Sequence, residues 1–228
     1  MFKRILPLMI LASLVAASGC GAPAKVTTPL QPVCSSGTFS KTSLGGVPYN
    51  RLDKAACARA IEPFDISIWI ESPYNSRKMR GRNQVLLGCK PLTSTVDDCD
   101  YCGIPGHSAT AMLNFDPTGF PDDAQVRRVV LAVHSPDNAD RLAQAQLRGR
   151  LNVGDELQSL GSPREIVTRG SNEQGWVLFD ISLFGARAIS ERRNSIYFEL
   201  SMPCQTPADN SVTMSLLKNE ARLIVEYY

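Results

Sequence analysis

The stretch DDCDYCGIPGH, from Asp97 to His107, gathers side chains able to do chemistry. Cys99 and Cys102 form a C-x-x-C pair, His107 follows, and Asp97, Asp98 and Asp100 supply hard oxygen donors near Gly103. One possible chemistry is a zinc site built on the thiolates of Cys99 and Cys102 with Cys89 and His107. A second is a redox dithiol, which needs a strand-to-helix setting. A third is a structural staple. The pair lies in a loop rich in Pro, Gly and Asp, which lacks that setting, and a zinc ribbon would need a second closely spaced pair. Structural disulfides are therefore the expectation if the compartment is oxidising.

Other reactive constellations are sparse. The two histidines, His107 and His134, have no nucleophile at a recognisable spacing, and no G-x-S-x-G elbow occurs. H-E-x-x-H, G-x-x-x-x-G-K-[ST] and G-x-G-x-x-G are all missing from the 228 residues. A carboxylate pair for glycoside hydrolysis can be distant in sequence, but the acidic residues fit turns and a solvated surface. Calcium has two weak acidic clusters, Asp97–Asp98–Asp100 and Asp122–Asp123, and neither has the closing glutamate of an EF-hand loop. The expectation is a protein that is not an enzyme and has no metal site or obligatory cofactor.

The N-terminus states an address. Lys3 and Arg4 precede an apolar run over 5–17, and Ala17, Ser18 and Gly19 lead into Cys20. The run is shorter than the ~20 residues that span a bilayer, so it is a secretory signal. The segment AASGC resembles the lipobox of bacterial lipoproteins, which implies cleavage after residue 19 and acylation of Cys20. By the same resemblance, Gly21 implies outer-membrane sorting. Acyl chains would anchor the protein while its body stays in water. Removing residues 1–19 takes away two of the 24 basic residues and none of the 22 acidic ones, so the remainder is formally neutral. Nucleic acid is not an expected partner. The six other cysteines, Cys34, Cys57, Cys89, Cys99, Cys102 and Cys204, form an even set that an exported chain uses for disulfides. Fifteen pairings remain open.

Residues 20–45 comprise the lipidated cysteine and a small, polar, Pro-rich tether whose far half Cys34 ties down. From residue 46 to 228 the pattern is β. In FDISIWIE, Phe64, Ile66, Ile68 and Ile70 alternate with Asp65, Ser67, Trp69 and Glu71, the period of a half-buried strand. Further strands are expected over 83–89, 110–115, 126–134, 147–153, 164–168, 176–181, 195–201, 211–216 and 221–227, separated by Pro- and Gly-containing turns. Single helical turns fit 138–149 and 182–190. About ten short antiparallel strands, stapled by disulfides, indicate an all-β sandwich or barrel in one domain.

The order of motifs from 62 to 228 resembles the DNRLRE-type jelly-roll domains of bacterial surface and polysaccharide-degrading proteins. The carriers are FDISIWIESPYNSRKMRGRNQVLLG, ATAMLNFDPTGFPDDAQVRRVVLAVHS, GWVLFDISLFGARAI, SIYFELS and the ending EARLIVEYY. The naming hexapeptide is missing, DNADRL at 137–142 being only reminiscent, and the 89–107 loop stands as an insertion. The resemblance implies a non-catalytic jelly roll, polysaccharide binding and, in some members, a structural calcium ion. A sugar platform needs an outward aromatic ring among polar groups; Trp69 on the polar side of its strand meets that need, with Tyr74 and Asn75 extending it. Trp176 is expected to pack, and Tyr227 and Tyr228 to close the sandwich edge. The rival expectation is an assembly subunit that docks on an envelope protein through its stapled loop, since contacts concentrate on loops held by a rigid scaffold.

Overall fold

The computed structural model describes residues 33–34, 42–49, 57–71, 76–79, 84–89, 108–152, 164–202, 212–215 and 217–228. The chain forms β1 (Val33–Cys34), β2 (Thr42–Leu44), β3 (Val47–Tyr49), β4 (Cys57–Ile61), β5 (Pro63–Glu71), β6 (Ser76–Met79), β7 (Gln84–Cys89) and β8 (Ser108–Phe115). Then come β9 (Val126–His134), α1 (Ala139–Leu142), β10 (Gln146–Asn152), β11 (Arg164–Ile166), β12 (Ser171–Glu173), β13 (Trp176–Asp180) and α2 (Ser182–Ser190). β14 (Ser195–Ser201), β15 (Val212–Ser215), a 3-10 turn (Lys218–Glu220) and β16 (Ala221–Tyr227) complete it.

Two antiparallel sheets face each other, as the alternating strands require. One has the order β1-β4-β16-β9-β13-β12. The other runs β11-β10-β14-β8-β5-β6 and gains β7 and β15. β5 pairs with β8 along its whole length and β14 pairs from Thr110 onward, so β7 takes the remaining edge at Ser108 and Ala109. Between the sheets lies the main core. Ile68, Ala111, Leu113, Phe115, Leu147, Phe198 and Leu200 come from one side, and Val129, Leu131, Val133, Val177, Phe179, Leu223 and Val225 from the other. Phe115 and Phe198 meet edge to face with centroids 6.0 Å apart. The expected all-β sandwich is what the chain forms.

The six-stranded sheet is buried on its outer face too. β2 and β3 make a hairpin whose Leu44, Val47 and Tyr49 cover Ala58, Ala60, Val130, Ala132, Trp176 and Ile224. This hairpin, which straddles residue 45, and strands β1, β4, β6 and β12 were not foreseen. Trp176 packs as expected. Tyr227 lies in the main core against Phe120, with centroids 5.2 Å apart, and Tyr228 is half-exposed. Their strand does not form an edge: β16 sits between β4 and β9. Cys34 is bonded to Cys57, its register partner across β1 and β4. The partners of Cys89, Cys99, Cys102 and Cys204, and the Asp97–His107 stretch itself, lie outside what is described.

Helix α2 has only 9 residues but is firmly seated. Asp180 Oδ1 accepts hydrogen bonds from the Ser182 amide at 3.0 Å and the Ser182 hydroxyl at 2.6 Å, a local turn that leads into the helix. Ser182 Oγ in turn accepts from the Val129 amide at 3.0 Å, and Ile181 donates to the Val129 carbonyl at 2.9 Å. Gly185 then allows the helix to rest on β9: a methyl group there would lie 2.5 Å from Val129 Cγ1. Helix propensity alone favours Ala over Gly by about 1 kcal/mol. Overpacking outweighs it, so Gly185→Ala is expected to destabilise the domain by about 1–3 kcal/mol in urea unfolding. A neutral or stabilising result would mean that α2 is not seated on β9.

Candidate functional site

Two surfaces combine chemistry with access. The first is the outer face of the eight-stranded sheet. Because side chains alternate along each strand, the partners of the core residues line this face in register. Arg150, Tyr197, Asn114 and Asp65 form one row. Arg148, Glu199, Met112 and Ser67 form the next, and Gln146, Ser201, Thr110 and Trp69 a third. Successive rows stand about 7 Å apart, the repeat of two strand residues.

Trp69 is half-buried and shares this face with polar groups, as its strand's alternation implied. Ser67 and Met112, in the neighbouring row, are buried. Tyr197 is buried as well; its hydroxyl donates to Glu199 Oε1 at 2.9 Å, and the Arg150 guanidinium stands 4.9 Å from its ring centroid. The face is therefore a pre-set mixture of rings, carboxylates and guanidinium groups. Tyr74 and Asn75 lie outside the described residues.

The second surface was not foreseen. A cleft of about 860 Å³ opens where α2 crosses β10 and β11. Gly149 makes room for its floor: a methyl group on it would lie 2.6 Å from the Phe184 ring and 2.7 Å from Ile166 Cδ1. Arg164, Arg187 and Arg193 line it, and Leu183 and Val167 stand on its walls at 96% and 93% exposure. Glu191 accepts hydrogen bonds from Arg187 at 2.7 Å and from Arg193, and those two guanidinium groups hold its carboxyl below the usual range. One carboxylate thus serves two cations. In sequence Arg187 and Arg193 flank Glu191 locally, but nothing along the chain announces that Arg164 joins them.

Among the described residues no three His, Cys, Asp or Glu side chains are grouped to hold a metal ion. Asp122 pairs with Arg192 at 2.9 Å, and Asp123 is exposed in the same turn. His134 stacks beside Trp176 with centroids 4.9 Å apart and has Nδ1 3.6 Å from Glu220 Oε1, a contact that holds the end of β9. Comparison with known proteins matches the chain to no family model and to no curated relative.

Two buried phenols give the domain a pH signature. Tyr49 donates a 2.7 Å hydrogen bond to Glu226 Oε2 under the hairpin. Burial first, then the neighbouring carboxylate, pushes the Tyr49 phenol well above its ordinary range; Tyr197 is raised by burial and by the Glu199 charge. An unfolded tyrosine ionises near pH ~10. Folding therefore keeps these protons where the unfolded chain loses them, and stability is full below about pH 10 and falls as pH rises beyond it. Tyr49→Phe with Tyr197→Phe should flatten that alkaline decline in urea midpoints. An unchanged slope would exclude these phenols as its cause.

Proposed function

We propose that this chain is a non-catalytic, lipid-anchored envelope protein whose jelly-roll domain binds polysaccharide on the outer face of its eight-stranded sheet. The observation that carries the reading is Trp69, half-buried on a face shared with Thr110, Ser201, Asn114, Asp65, Glu199 and arginines, and with the buried Ser67, Met112 and Tyr197. Sugars present an apolar face for ring stacking and a rim of hydroxyls for such polar groups. The N-terminal signal and Cys20 support placement on the outer membrane.

The chain from residue 21 contains every described residue, both apolar clusters and the Cys34–Cys57 bond. In native gels cast with neutral and acidic polysaccharides, this chain is expected to be retarded by one polymer. Trp69→Ala is expected to remove the retardation while leaving the urea midpoint near that of the parent. A loss of about 3–5 kcal/mol in stability would instead mark Trp69 as a packing residue. Absence of retardation by every polymer would refute the polysaccharide reading.

A further inference from the structure

We propose that the cleft between α2 and β11 is a docking surface for an anionic lipid bilayer. This site is separate from the sheet face that carries Trp69. Four large hydrophobic residues are exposed among the described residues: Val167, Leu183, Leu217 and Tyr228. The two most exposed, Leu183 and Val167, both line this one cleft, from the first turn of α2 and the residue after β11. No core contact accounts for either of them.

The cations between them select the occupant. Arg164 is exposed on β11, and Arg187 and Arg193 share the single carboxylate of Glu191. Asp180, the acidic residue nearest the helix start, is already engaged with Ser182 and lies 3.6 Å from Arg128. Arg150, Arg164, Arg187 and Arg193 line the cleft against Glu165 and Asp180, and Glu191 stands beside two of them, so a single positive charge is left over. Guanidinium groups bind phosphate in a planar, two-point geometry and attract the negative surface of a bilayer. Aliphatic tips enter the boundary between headgroups and acyl chains. A sugar polymer offers no apolar depth for a fully exposed leucine and valine. A bilayer offers both the anion and the depth, and a protein tethered near a membrane meets it at high effective concentration.

The test is co-sedimentation of the chain from residue 21 with vesicles of phosphatidylcholine alone or mixed with phosphatidylglycerol. Binding is expected to the mixed vesicles, to weaken as salt is raised, and to be near background on phosphatidylcholine. Leu183→Asp with Val167→Asp is expected to weaken it by roughly tenfold or more, because charge replaces inserting apolar tips. Arg164→Glu is expected to weaken it by a similar factor. All three positions are exposed, so the urea midpoints of these variants should match the parent and keep unfolding out of the result. Trp69→Ala should leave vesicle binding unchanged, which separates this surface from the polysaccharide reading. Equal binding to both vesicle types, binding to neither, or binding that survives the Leu183 and Val167 changes would overturn the proposal. Capture of an acidic peptide without vesicle binding would likewise overturn it, and would mark the cleft as a protein-docking groove.

Discussion

Strand β9 is buried on both of its faces, and this double burial governs what the rest of the chain must supply. Val129, Leu131 and Val133 face the main core, while Val130 and Ala132 face outward under a second apolar layer. A strand of an antiparallel sheet normally leaves one face to water. Here water is excluded by the β2–β3 hairpin outside and by α2 against Val129. The hairpin lies between the two cysteines of the Cys34–Cys57 bond in sequence, so the cover is tied at both ends of its segment. The chain-entropy view of disulfides assigns about 3 kcal/mol to closing a loop of this size.

The same cover creates an electrostatic demand. Glu226 is carried on β16 beneath the hairpin with no exposure, and one of its carboxylate oxygens has no hydrogen-bond partner. Tyr49 meets the other oxygen, and Arg128, its register partner, stands 5.9 Å from the Tyr49 ring centroid. A buried carboxylate without such company costs several kcal/mol. The Tyr49 hydroxyl is therefore more than packing: it gives the hairpin a defined position over Glu226. Hydrophobic cover alone would leave the hairpin free to slide.

The two proposed binding surfaces lie at the margins of this scaffold. The outer face of the eight-stranded sheet offers rings among polar groups, suited to a polymer of hydroxyls. The α2 cleft offers arginines between aliphatic tips, suited to an anionic interface. Both rest on strands whose inner faces are fully committed to the core, so their side chains are held in register by packing on the far side. A lipid-anchored module with one surface for a polymer and one for a membrane would hold the two together.

Period-two alternation made most long strands legible: β9, β14 and β16 run over the residues expected, and α2 fills the short helical stretch at 182–190. Alternation reports one buried face; in β5 it puts Ile68 in the core and Trp69 on the other side, although Ser67 on that side is buried too. The near-continuous run VVLAV in β9 was the available sign of a second buried face. The hairpin that covers it was missed because three-residue strands are too short to show a period. The arginine cleft was illegible for a different reason. Arg187 and Arg193 are neighbours of Glu191 along the chain, but Arg164 comes from an edge strand and only packing brings it to them. Local pattern therefore determined the long strands and their inner faces; the second layer, the Tyr49–Glu226 contact and the cleft were decided only when distant segments packed, because each depends on pairing across tens of residues.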